Sequence, residues 1–299
     1  MFSRLLPDAP RACQNPEPTQ THMSTSSNIF ITGCSTGIGY DTAVKLKQRG
    51  HTVIATARQP QDVDRLRDEG FTSFLLDLAD SDSIQSAFNQ TLEHTGGRMD
   101  VLFNNGAYAQ PGAVEDLTRD TLRKQFEINL FGWHELTTLV VRVMREQGSG
   151  RIIQNSSILG FIALKHRGAY VATKYALEGL TDTLRLELEG TGIHVILIEP
   201  GPILTNMRRN SLKAFEENIN WETSVHRGHY EKTLARLRKE GPAQAFTLPA
   251  SAVTKRVIHA IDSPMPKIRY PVTFPTYLFA VLTRILPDRL LDRFLIKVS

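Results

Sequence analysis

A chain of 299 residues, 41% hydrophobic and 22% charged, has a globular composition and is long enough to bury a large core. Its formal net charge of +4 is small and diffuse, and no basic stripe interleaves with aromatics, which excludes a nucleic-acid-binding design. The two cysteines, Cys13 and Cys34, make no disulfide framework, so a reducing, cytoplasmic setting is expected.

Residues 1–27 hold four prolines and little periodicity, and read as a disordered tail ahead of a single domain over 28–299. Met23 is an alternative start. Asn28 to Thr32 is a short apolar strand. Gly33-Cys34-Ser35-Thr36-Gly37-Ile38-Gly39 follows, then a helix pattern from Tyr40 to Gln48. Strand, glycine-rich turn and helix form the context of a dinucleotide site, with the pyrophosphate on the helix N-terminus. Cys34 reads as a small filler of that loop.

A second strand, His51 to Ala57, ends at Arg58. An NAD site places a carboxylate there to bind the ribose hydroxyls. A guanidinium instead suits a 2′-phosphate, so the expected cofactor is NADP(H) rather than NAD(H). Phe71 to Leu76 is a third strand, ending at Asp77-Leu78, and Ser81 is the expected N-cap of the next helix. Val101 to Phe103 is the fourth, running into the turn Asn104-Asn105-Gly106-Ala107. Thr118 to Gln147 reads as one long helix with Asn129 inside it.

Arg151 to Gln154 is a fifth strand, ending in Asn155-Ser156-Ser157. Thirteen residues after Ser157 stands Tyr170, at the start of a helix pattern, and Lys174 follows four later. At i and i+4 the phenol and the ammonium share one helix face. A positive neighbour favours the phenolate, so Tyr170 is expected below the usual tyrosine value and poised to exchange a proton with a carbonyl or alcohol. Ile193 to Ile198 is a sixth strand, followed by Pro200-Gly201-Pro202-Ile203-Leu204-Thr205. Strands alternating with helices predict a parallel, doubly wound α/β sheet of about seven strands between two helix layers. Gly33 to Gly39, Asn105, Ser157 and Pro200 all fall at the carboxyl ends of strands, so they converge on one cleft.

Together, the TGxxxGIG turn, the NNGA turn, Ser157 and the Tyr170-x-x-x-Lys174 pair resemble the short-chain dehydrogenase/reductase family from Asn28 onward. The resemblance implies a Rossmann-like fold and four catalytic residues, Asn129, Ser157, Tyr170 and Lys174. Ser157 would hold the carbonyl oxygen and Tyr170 would be the acid/base. Lys174 would lower the tyrosine pKa and hold the ribose, and Asn129 would support a proton-relay water. It further implies cofactor contacts by Asp77 and Leu78, by Asn105, Gly106 and Ala107, and by Pro200, Gly201, Ile203 and Thr205. The TGCSTGIG turn and the ATAR strand end look most like the branch of 17β-hydroxysteroid dehydrogenases, retinol dehydrogenases and bacterial aldehyde reductases. A hydrophobic aldehyde, ketone or secondary alcohol follows as the substrate, and a homodimer or homotetramer as the assembly. A cofactor-binding sensor without turnover and a non-redox isomerase or dehydratase are the rival readings.

Residues 206–248 are polar and charged, with scattered aromatics, and read as a helical lid over the substrate. His226 and His229 lie here without cysteine or carboxylate ligands at zinc spacing, so no metal is expected. Pro249 opens a further helix over Ser251 to Ile261, and Lys267 to Val272 is the expected seventh strand. The apolar stretch 273–299 is broken by Pro275, Arg284, Pro287 and Asp288, which leaves no run that spans a membrane. It is expected to pack beside the pocket, with contact to a membrane surface as the alternative.

Overall fold

The structure, a computed structural model, describes residues 26–242 and 245–298. The expected tail over residues 1–25, with Cys13, lies outside the described residues.

Seven strands form one parallel sheet: β1 (Asn28–Ile31), β2 (Thr52–Ala57), β3 (Thr72–Leu75), β4 (Val101–Asn104), β5 (Gly150–Asn155), β6 (Ile193–Glu199) and, at the far edge, a strand at Arg269–Pro271. The last is shorter than the expected 267–272. Two residue pairs, β7 (Ile203–Leu204) and β8 (Leu248–Pro249), make a separate parallel ladder, so the edge strand is β9. The sheet order is β3-β2-β1-β4-β5-β6-β9. The connection reverses direction between β1 and β4, and a cleft opens beyond the carboxyl ends at that point.

Burial on both faces explains the near-continuous apolar runs. Along β1, Ile29 and Ile31 face one helix layer. There they join Ala43 and Leu46 of α1 (Gly37–Gln48), Val63 and Leu66 of α2 (Pro60–Asp68), and Val253 and Val257 of α9 (Ser251–Asp262). Phe30 faces the other layer, with Ile84 and Phe88 of α3 (Ser81–Thr95) and Trp133 and Leu136 of α5 (Gly132–Gln147). That layer also takes Leu177 from α6 (Gly168–Glu187).

Two local expectations need correction. Asp80, not Ser81, caps α3: its carboxylate accepts from the N–H groups of Asp82 and Ser83. The Ser81 hydroxyl is drawn away to the Glu135 carboxylate. The single helix expected over 118–147 is α4 (Arg119–Phe126) and α5, joined by a π-helical turn at Glu127–Phe131 that contains Asn129. The wider turn inserts a residue, and such insertions concentrate at functional sites.

After β7 come α7 (Met207–Asn218) and α8 (Arg227–Arg238), which pack on each other through Phe215, Tyr230, Leu234 and Leu237. The chain ends in α10 (Phe274–Ile285) and α11 (Asp288–Val298). Phe279 and Leu295 from these helices join Ile158, Leu159, Ile162 and Tyr170 in a small core of their own. The C-terminal stretch thus packs beside the pocket as expected.

Candidate active site

The glycine turn between β1 and α1 is built by close backbone approach. Gly33 has φ 71°, and a Cβ there would fall 2.6 Å from Gly106 Cα. A Cβ on Gly39 would lie 2.3 Å from the Gly33 carbonyl oxygen. The first turn of α1 therefore lies directly on the loop. Thr36, its N-cap residue, makes no side-chain cap bond, and no acid stands in the first turn. The helix start keeps its N–H groups and its positive dipole end for an anion. Ser35 and Ile38 belong to the same half-buried turn, and Thr205 packs against Gly37.

Thr32 ties this turn to the next one. Its hydroxyl accepts from the N–H groups of Asn105 and Gly106, at 2.8 and 2.9 Å. Asn105 Nδ2 donates to the carbonyls of Thr32 and Gly33, and its Oδ1 accepts from Asn155 Nδ2 at 2.9 Å. Cys34 is a fully buried filler, its thiol pushed up to about 12 by burial.

Arg58 stands exposed just beyond β2, close enough for its charge to act on Tyr108. Asp77 is half-buried and occupied locally, its Oδ1 accepting from Ala79 N at 3.0 Å. The Leu78 carbonyl meets Gly132, where a Cβ would fall 2.0 Å away.

A cavity of about 830 Å³ gathers Ile38, Asn105, Ala107, Ser157, Tyr170, Lys174, Pro200, Gly201, Ile203 and Thr205 on its wall. Ser157 Oγ accepts from Leu159 N at 3.1 Å and reaches the Pro200 carbonyl at 3.4 Å. Gly201 is pressed against Thr273, with a Cβ there 2.1 Å from Thr273 Oγ1. Lys174 is fully buried. Its Nζ donates to the Asn155 carbonyl at 2.8 Å, lies 4.3 Å over the Trp133 ring and 5.6 Å from the Tyr170 ring centre. Trp133 is held in turn by an N–H bond to the Gly106 carbonyl, 2.8 Å.

The expected electrostatics of this pair is corrected. Burial pushes Tyr170 up to about 12, against a lowering hydrogen bond to Ser157 and the charge of Arg167. Burial brings Lys174 down to about 7, against the charge of Glu178. Desolvation outweighs the i,i+4 pairing.

Asn129 lies in the π-helical turn with its side chain bonded to the backbone of Tyr108. Its Oδ1 accepts from Tyr108 N at 3.2 Å and its Nδ2 donates to Tyr108 O at 2.8 Å, so the side chain is taken up in pinning the chain after the NNGA turn.

Several wall residues were invisible in the sequence. Behind the wall, the fully buried Trp133 that supports Lys174 sits among ordinary core positions of α5. Arg167, Arg208 and Arg236 come from three separate elements, whereas Phe274, Leu278, Leu282 and Phe294 belong to the C-terminal stretch already expected beside the pocket. Among the described residues no group of three or more metal-ligating side chains could hold a metal ion. His226 and His229 join His166 instead: the rings of His166 and His229 stack at 3.8 Å, and His226 bonds Glu115 at 2.6 Å.

The family model for the short chain dehydrogenase matches residues 27–215. An uncharacterized oxidoreductase of Escherichia coli, YbbO, is 40% identical over 268 residues, covering 90% of this chain and 93% of its own. The NADPH-dependent 3-dehydrocapnine reductase of Ornithobacterium rhinotracheale is 28% identical and covers 89% and 95%. A crystal structure of a short-chain dehydrogenase from Streptomyces avermitilis superposes with TM-score 0.69 at 28% identity, over 88% of this chain and 96% of that one. The chain belongs to the short-chain dehydrogenase/reductase family and is an oxidoreductase of that family.

Proposed function

We propose that the protein interconverts a hydrophobic carbonyl compound and its alcohol, using NADP(H). The observation that carries this reading is the meeting of Ser157, Tyr170 and Lys174 on one cavity wall that continues to the uncapped start of α1. When bound, the cofactor supplies or accepts the hydride. Gly33 to Gly39 would receive its pyrophosphate, and Asn105, Gly106, Ala107, Pro200, Gly201, Ile203 and Thr205 would flank it. Asp77 and Leu78 would take the adenine. Arg58 would pair with a 2′-phosphate, and the dependence of the Ornithobacterium relative on NADPH supports that choice.

Ser157 orients the substrate oxygen through its hydroxyl. Tyr170 donates its proton to that oxygen in reduction and takes one back in oxidation. Its raised pKa keeps it protonated, as a donor requires. Lys174, held on Asn155 O, stands one turn below to return the proton and to hold the ribose. Asn129 acts as a positioning residue for the Tyr108 segment. Residues 206–248 serve as a lid on the single domain. The exposed side chains Phe131, Leu180 and Leu186 support assembly as a homodimer or homotetramer. The apolar outer face of α10 supports contact with a membrane surface.

The test is NADPH oxidation by purified protein with decanal, retinal and a 17-ketosteroid, run beside NADH and Tyr170→Phe. We expect NADPH-dependent turnover that falls about 10²- to 10⁴-fold in Tyr170→Phe while NADPH binding persists. Full activity in that variant refutes the assignment. Tight NADPH binding without turnover of any carbonyl points to a sensor or to non-redox chemistry.

A further inference from the structure

The apolar cavity contains a feature that carbonyl reduction does not require. Arg167, Arg208 and Arg236 all line it. Arg167 immediately precedes α6, three residues before Tyr170; Arg208 lies in the first turn of α7, and Arg236 near the end of α8. All three are half-buried. Among the described residues none of them forms an ion pair with an aspartate or glutamate, unlike Arg238 on the same helix, which pairs with Glu216 at 2.9 Å. Arg208 makes one bond, to the Gly241 carbonyl at 2.5 Å. The guanidinium groups of the other two make no hydrogen bond among the described residues.

Three guanidiniums facing one cavity without an acid are costly. Each needs partners for up to five N–H donors, and a buried charge without a counter-ion is strongly disfavoured. The cost is visible on Arg236, brought down to about 10 by burial and by the charges of Arg167 and Arg208. Burial lowers Arg167 as well, and only Tyr170 opposes the shift. An anion from outside the chain relieves all three. The guanidinium fork fits a carboxylate or a phosphate in two-point contact. The remaining wall, from Leu278, Phe279, Leu282 and Phe294, suits an alkyl chain.

We propose that Arg167, Arg208 and Arg236 form a subsite for the anionic group, carboxylate or phosphate, of an apolar-tailed substrate whose carbonyl lies at Tyr170. The carbonyl part rests on the reductase reading; the anion subsite stands on the cavity itself.

The test titrates the full-length protein, saturated with NADP, calorimetrically with dodecanoate, dodecyl phosphate and dodecanol. At least one of the two anions is expected to bind about 10-fold or more tightly than dodecanol. Whichever binds better identifies the headgroup. Arg236→Gln and Arg208→Gln are each expected to erase that preference, while Arg236→Lys keeps part of it and shows that the wall still folds. Dodecanol binding as tightly as both anions overturns the subsite, and so does an anion preference that survives both glutamine variants. A parallel assay follows NADPH oxidation with a long-chain oxo acid and its methyl ester. Arg236-dependent dodecanoate binding with no carbonyl reduced sinks the reductase reading alone. Equal reduction of acid and ester, with no anion preference in binding, sinks the subsite alone.

Discussion

Lys174 donates to the backbone carbonyl of Asn155 at 2.8 Å, so the C-terminal end of β5 and the first turns of α6 are tied by one buried ammonium. Burial weakens that ammonium, bringing it from an ordinary 10.5 to about 7. Lys174 thus holds its proton less tightly in the fold than in the unfolded chain. Between pH 7 and 10.5 unfolding takes up a proton, and stability rises with pH across that window. Lys174→Met removes the titration. From pH 7 to pH 9.5 the melting temperature of the wild type should gain roughly 5 °C on that of the variant. Parallel melting curves would refute the depressed lysine.

Much of this site was legible because its parts are local. A glycine turn that starts a helix, Ser157 at a strand end and a Tyr–Lys pair one turn apart are short-range patterns, and parallel β/α topology carries them to one edge of the sheet. What stayed hidden depends on packing. Thr118 to Gln147 has the periodicity of one helix, and only the docking of Asn129 on Tyr108 marks the wider turn at Glu127–Phe131. Burial, which raises Tyr170 where the neighbouring lysine was expected to lower it, cannot be read from their spacing. Arg167, Arg208 and Arg236 are far apart in sequence, and no short-range pattern links them before the fold brings them to one cavity.

Arg58 is the one cofactor determinant that separates NADP(H) from NAD(H) in this reading. It stands exposed beyond Ala57, where it forms no ion pair among the described residues. A charge-assisted contact to a 2′-phosphate is worth about 1.5–3 kcal/mol. Arg58→Ala should therefore raise the KM for NADPH by about 10- to 100-fold and leave that for NADH within a factor of two. Steady-state kinetics with both cofactors decides it, and an unchanged NADPH KM would transfer the preference elsewhere.

His166 links the segment between Ser157 and Tyr170 to the start of α8. It adopts a left-handed backbone, φ 59°, stacks on His229 and contacts His226. Burial lowers it to about 4, helped by His229, His226 and Lys165 and opposed by Asp116. The folded state therefore refuses a proton that the unfolded chain accepts near pH 6.5, and stability falls as pH drops from there toward 4. Asparagine tolerates the left-handed region, so His166→Asn keeps the turn and removes the titration. Between pH 7 and pH 5 the wild type should lose roughly 3 °C more than the variant. Equal losses would refute the depressed His166 imidazole.

Helix α10 carries apolar side chains on both of its sides. Thr276 and Phe279 turn inward, while Phe274, Tyr277, Leu278, Val281 and Ile285 form an exposed stripe at helical spacing. No helix among the described residues is long and apolar enough to cross a membrane. Phe274 and Leu278 also line the cavity, as does Phe294 of α11, so the stripe borders the pocket where an apolar substrate would enter. Arg284, Arg289, Arg293 and Lys297 against Asp288 and Asp292 give this end a positive balance. Apolar area beside cations suits an anionic lipid surface. Val281 and Ile285 do not line the cavity, so changing them leaves the pocket intact. Each buried aliphatic side chain is worth about 1.5–3 kcal/mol. Val281→Glu with Ile285→Glu should therefore weaken sedimentation with phosphatidylglycerol vesicles by about 10-fold or more, with decanal reduction retained. Unchanged sedimentation would remove the stripe from the lipid contact, and loss of a dimer in the same variant would assign it to a second copy of the chain.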